Sequence, residues 1–187
     1  MGTMTDEIHL DVYLANYREY EPFRVVVREE TDRAAAILGA AYLDSLLEQL
    51  LRDYFIQDAV VEELLGTDRP LCNFSARIDA SFALGLVSTA VHRDLHFVRK
   101  IRNKFAHKIE VHTFEESPFR DLCAEFAILK RFPDYRQWNR PGDLYRRIFE
   151  LALGFLMGEI NERIKCTPHQ AVGKPYGSGY QAVEEAT

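Results

Sequence analysis

Residues 89–107 hold most of the side chains in this sequence that could do chemistry. Wound as an α-helix at about 100° per residue, they place His92, His96, Arg99, Asn103 and His107 within roughly 80° of one another on one face. His92 and His96, four residues apart, have the spacing of two metal ligands on one helix. No third ligand stands at a helpful spacing, so no metal and no cofactor is expected. Val91, Leu95, Val98, Ile101 and Phe105 make a separate apolar stripe, and Arg102 falls inside it, between Leu95 and Val98 in angle. A guanidinium cannot lose its proton, so an inward arginine requires a carboxylate or an anionic ligand. Six basic residues (Arg93, Arg99, Lys100, Arg102, Lys104, Lys108) stand against Asp94 alone between positions 92 and 108. That segment carries a surplus of five positive charges in a chain of net charge −6, so the remainder is strongly acidic.

The elements that must position these residues read as helices. No proline occurs between Pro22 and Pro70 or between Pro70 and Pro118, and helical periodicity fills much of both intervals. The one β-branched run, at 23–27, has no second strand to pair with. Expected helices cover 6–17, 30–55, a short stretch after Asp58 ending at Gly66, a segment from Asn73 to Gly85, one opened by Ser88, one started by Ser117 as cap with Pro118 in its first turn, and a last one over 143–164. The long helix at 30–55 puts Asp32, Ala36, Gly39, Ala40, Leu43, Leu47, Leu50 and Tyr54 on one face, and Asp44 between Ile37 and Leu51 on another. Few polar residues interrupt it from Ala34 to Leu51, as in a central helix or a dimer-interface helix. Asp32 and Asp44 are therefore the expected partners of Arg102.

A chain of 187 residues with 12 Phe and 9 Tyr can bury a core without disulfides or metals. Cys72, Cys123 and Cys166 show no C-x-x-C spacing and read as structural thiols of a reducing compartment. No stretch approaches about 18 consecutive apolar residues, so no membrane span is expected. The acids Asp6, Glu7 and Asp11 stand where a signal peptide would be basic and then apolar, which points to the cytoplasm. The acidic balance argues against direct, specific DNA binding, because phosphate contacts dominate that affinity. The last 22 residues contain no Ile, Leu, Phe or Met, and are expected to form a flexible tail (166–187) after one helical domain (1–165).

Arg102-Asn103-Lys104-Phe105-Ala106-His107 resembles the R-x4-H motif of the HEPN superfamily, helical bundles whose dimers often act as metal-independent ribonucleases. A wider pattern resembles the mannitol operon repressor family (MltR, or MtlR). It comprises Glu30-Thr31-Asp32-Arg33 with Ala35 to Asp44, Pro70 to Asp79 with Ala83 to Ser88, Arg93-Asp94-Leu95-His96 through Ile101 to His107, and Ser117-Pro118 before Cys123. It spans about residues 29–130. Cys72 departs from it, where the family leads one to expect glycine. The resemblance implies a compact all-α bundle, HEPN-like in fold and homodimeric. Asp32, Arg33, Asp44, His96 and Arg99 are the candidate ion-pair or pocket residues.

Three functions follow. A regulator of a sugar-alcohol operon would act through a protein partner rather than by reading DNA. A HEPN-type ribonuclease would bind RNA, with His107 as base for the 2′-OH, Arg102 as cation for the phosphorane charge and Asn103 positioning them. In a purely structural role, Arg102 would tie the long helix to the motif helix. The first is preferred. The dimer follows from the long helix, whose apolar circumference requires either burial or a second subunit.

Overall fold

The computed structural model describes residues 20–107, 110, 112–133 and 142–170. The helix expected at 6–17 and the tail beyond 170 lie outside them. Eight helices follow in chain order, with no strand among the described residues: α1 Glu21–Glu29, α2 Asp32–Tyr54, α3 Val60–Leu65, α4 Phe74–Ala83, α5 Thr89–His107, α6 Phe119–Cys123, α7 Ile128–Arg131 and α8 Leu144–Cys166. The β-branched run at 23–27 is helical in α1. With no partner strand available, a helix is the one regular structure in which its backbone pairs within itself. Phe23 and the buried Val27 then pack on the bundle, Phe23 stacking on Tyr42 at 4.5 Å between ring centroids.

Side-chain caps form at three helices, two of them, Asn73 and Ser88, as expected. Thr31 Oγ1 accepts from Ala34 N at α2, Asn73 Oδ1 accepts from Ala76 N at α4, and Ser88 Oγ accepts from Val91 N at α5. Asp58 Oδ1 accepts from Val60 N ahead of α3. Gly66 ends α3 as expected, yet in extended backbone. Glycine is needed there for space, since a Cβ would lie 2.6 Å from the Glu62 carbonyl oxygen. Gly85 ends the α4 turn at φ +71°, which favours glycine. The start of α6 differs from expectation: Pro118 itself is the N-cap behind a cis peptide bond, and the Ser117 hydroxyl donates to Asp121 rather than capping.

Helix α2 is the centre, with α1, α4, α5 and α8 packed on it. Of the expected face, Ala36, Gly39, Ala40, Leu43, Leu47 and Leu50 are buried and Asp32 and Tyr54, at its two ends, half-buried; Ala35, Leu46 and Leu51 are buried as well. Small residues allow close approach: a Cβ on Gly39 would come within 2.5 Å of Leu153 in α8. What stays open is the stripe Ile37, Leu38, Ala41, Ser45 and Gln49. By length and hydropathy α2 would qualify as a membrane span even without an unbroken apolar run, but it is also the helix the others cover. The stripe Val91, Leu95, Val98, Ile101 and Phe105 faces inward from α5, and Phe105 stacks on Phe119 at 4.0 Å. Of the three free thiols only Cys123 is buried, and burial holds it well above the usual thiol range; Cys166 is exposed. Residues 166–170, expected to begin a loose tail, are held at the end of α2. Gln170 N donates to Tyr54 O at 2.9 Å, and His169 Nδ1 lies 3.0 Å from Phe55 O.

Buried ion pairs join these helices, but not the pair the helical wheel predicts. Asp32 is bound by Arg146 of α8 at 2.7 Å, and Asp44 by Arg77 of α4 at 2.8 Å. Both arginines are buried, and each has a second carboxylate: Glu150 at 2.8 Å for Arg146 and Glu48 at 2.7 Å for Arg77. Each also donates to backbone carbonyls, Arg146 to Val27 and Glu30, Arg77 to Leu71 and Leu65. Arg102 is exposed instead. Both acids were already taken by arginines of other helices, and a side chain this long reaches water from a position near the apolar stripe. Arg146→Ala should therefore cost about 3–5 kcal/mol, because Asp32 loses its cation and Glu150 keeps only Arg147, at 3.8 Å. Arg102→Ala should stay within about 0.5 kcal/mol of the parent, as a surface change does. Urea unfolding of the two variants checks both.

Asp94 of α5 is a further buried carboxyl, 2% exposed, accepting from Ala127 N at 2.8 Å and from Arg93 at 2.9 Å. Burial raises its pKa against the lowering effect of those hydrogen bonds. Its contribution to stability is thus complete below the unfolded carboxyl's value of about 3.9 and is lost as pH rises through the raised folded value. Asp94→Asn keeps an acceptor for Ala127 N and removes the buried charge. Its Tm relative to the parent should rise from pH 4 to pH 7, and a pH series of thermal melts measures it.

Candidate functional site

The α4–α5 hairpin builds the densest group of ligating side chains. The turn through Gly85 folds α4 back beside α5, so Asp79 of α4 faces His92 and His96 of α5. Asp79 Oδ1 is 3.0 Å from His92 Nε2 and 3.0 Å from His96 Nε2, and the two nitrogens are 3.2 Å apart. Phe82, three residues beyond Asp79, stacks on the His92 ring at 4.3 Å and fixes its plane. The side chains of His92 and His96 are 24% and 20% exposed and that of Asp79 60%, so the group is rooted in the bundle and open on one side. The hydrogen bond from His92 holds the Asp79 carboxyl below the usual carboxylate range, against the opposing effect of burial, with His96 helping. Arg99 extends the group along the helix, Nε lying 3.4 Å from His96 Nδ1.

The other candidates fall elsewhere. Arg102 donates to Asn103 Oδ1 at 2.8 Å, on the surface at the end of α5, with His107 exposed one turn on. An exposed guanidinium steadied by an amide can hold an oxyanion. Arg33 donates to the Glu110 carbonyl at 2.9 Å, and Asp32, besides Arg146, accepts from Phe114 N at 2.9 Å. Asp32 and Arg146 line a cleft of about 230 Å³. Glu48, Arg52 and Arg77 line another of about 510 Å³ beside Cys72. In both, the charged groups are already bound to one another: Arg52 holds Glu48 and Glu62, and Arg77 holds Asp44 and Glu48. The basic side chains Arg93 and Lys100 lie over the Phe97 ring at 5.5 and 5.7 Å.

Sequence reasoning therefore found His92, His96 and Arg99 but missed Asp79, Arg77 and Arg146. Arg77 carried a signal: Phe74, Arg77, Ile78 and Ser81 form the buried stripe of α4 at helical spacing. Asp79 and Arg146 gave none, because their partners are brought by other helices.

The model of the mannitol repressor family, MtlR, matches residues 29–144, well over half of the chain. No curated protein matches the sequence. Among solved structures, the MtlR–HPr complex from Escherichia coli contains a chain of the same fold, at 18% identity and a TM-score of 0.61, covering 80% of this chain and 98% of that one. The helices that carry Asp32, Asp44, Asp79 and the histidine pair lie within the matched span, while Arg146 falls just beyond it, and this chain belongs to the mannitol repressor family.

Proposed function

We propose that the protein is a cytoplasmic regulator of a sugar-alcohol operon that works by binding a protein partner of the HPr type. The observation that carries this reading is the fold it shares with an MtlR solved in complex with HPr, within a family it belongs to. Charge supports it. A net charge of −6 opposes the accumulation of phosphate contacts that DNA affinity needs. One basic surplus lies on α5, where Arg99, Lys100 and Arg102 reach the surface or its edge. A patch of that size suits an acidic protein surface and steers association. Mixed with an HPr protein, the purified chain should form a complex by calorimetry at low salt, weakening as ionic strength rises. Alone, it should fail to retard operator DNA at moderate salt. Tight, sequence-specific retardation by the protein alone would overturn the reading.

Assembly is the second part of the proposal: a twofold homodimer joined over the open stripe of α2. Ile37 and Leu38 are each 38% exposed there, beside Ala41, with the polar Ser45 and Gln49 continuing the open stripe. Two copies of one apolar stripe satisfy each other in an isologous contact. Light scattering at micromolar concentration should give twice 21.6 kDa, and Leu38→Asp should return it to 21.6 kDa.

A further inference from the structure

We propose that Asp79, His92 and His96 form a binding site for one divalent transition-metal ion of the zinc class, which would clasp α4 to α5. The inference is independent of the partner and operon reading above. The three ligand atoms form a nearly equilateral triangle with edges of 3.0, 3.0 and 3.2 Å. A tetrahedral ion with bonds of about 2.0–2.1 Å to nitrogen and oxygen sets its donors about 3.3 Å apart, close to these edges. Hydrogen bonding alone does not satisfy the triangle. Each Nε2 has a single in-plane direction for a proton or a lone pair. If both nitrogens donate to the one Asp79 oxygen, the third edge sets two N–H groups against each other. An ion above the triangle takes a lone pair from all three atoms at once.

The surroundings fit this use. Two neutral imidazoles and a carboxylate are the donor set of a three-ligand zinc site, and the 60% exposure of the Asp79 side chain leaves a side open for a fourth ligand, water or a partner's group. Ligands from two helices are held in register before an ion arrives, by the Phe82 stack on His92 and by the Arg77–Asp44 pair two residues from Asp79. One contact opposes binding. A metal on His96 Nε2 puts the ring proton on Nδ1, where Arg99 Nε now lies at 3.4 Å, so that guanidinium must swing outward.

The test is a zinc titration of the full chain by calorimetry, after dialysis against EDTA. The expected result is one zinc per chain, a rise in Tm with zinc, and tetrahedral visible absorption when cobalt replaces it. His96→Gln and Asp79→Asn should each weaken binding by roughly 100-fold or more, while circular dichroism and the metal-free Tm report an intact fold. Arg99→Ala should tighten it. Absence of stoichiometric binding would overturn the proposal, and so would zinc held equally well by the His92→Gln, His96→Gln double variant, which would place the metal on exposed thiols such as Cys166.

Discussion

Two buried arginines hold the bundle to its central helix, and the rest of the structure is arranged around that requirement. A guanidinium out of water must meet anions and acceptors on nearly all its N–H groups. Arg146 finds Asp32, Glu150 and two carbonyls; Arg77 finds Asp44, Glu48 and two carbonyls. These bonds fix where α8 and α4 meet α2 along its length, one at its first turn and one near its middle. Apolar packing drives the same contacts, but leucine against leucine tolerates sliding. A charge that must find its partner does not. Asp32 also stands in the first turn of α2, where a negative charge is favoured by the helix dipole.

The register reaches the candidate site through α4. Arg77 and Asp79 are two residues apart, about 200° around the helix, so one points into the bundle while the other points toward α5. When Arg77 is locked on Asp44, the face bearing Asp79 has no freedom to turn away from His92 and His96. The positive φ at Gly85 then sets the return angle of α5. A surface cluster is thereby placed by a buried ion pair, with the apolar stripe of α5 as the hinge between them.

The fold was legible because its signals are local. Asn73 and Ser88 cap the helices they should, and the stripe from Val91 to Phe105 is buried as its spacing demands. The family was legible for a related reason: its pattern is a run of turn, cap and core residues. Pairings between helices were not legible. Asp32 and Asp44 were expected to pair with Arg102, yet their arginines come from positions 114 and 33 residues away. A helical wheel gives the angle of Arg102 but not the length of its reach or the prior claims on its carboxylates. The histidine pair was visible from i, i+4 spacing, while Asp79 becomes a neighbour only after the hairpin closes.

The division of labour on α5 explains why its outer face can be read for function at all. The core asks of this helix only one stripe, five apolar residues and the carboxyl of Asp94. Apart from Arg93, which bonds the buried Asp94, the packing requires no ligating or charged groups on the remaining surface, and alanine or glutamate would serve the helix as well or better. That surface nevertheless carries two histidines aimed at one carboxylate, Arg99 beside them, and Arg102 bonded to Asn103 a turn further on. That surface also carries a surplus of positive charge, so an acidic partner approaching it is drawn to the helix with the open side of the histidine cluster. Partner docking and metal coordination would then share one surface, and a carboxylate or imidazole from the docked protein is the natural fourth ligand for an ion held by three.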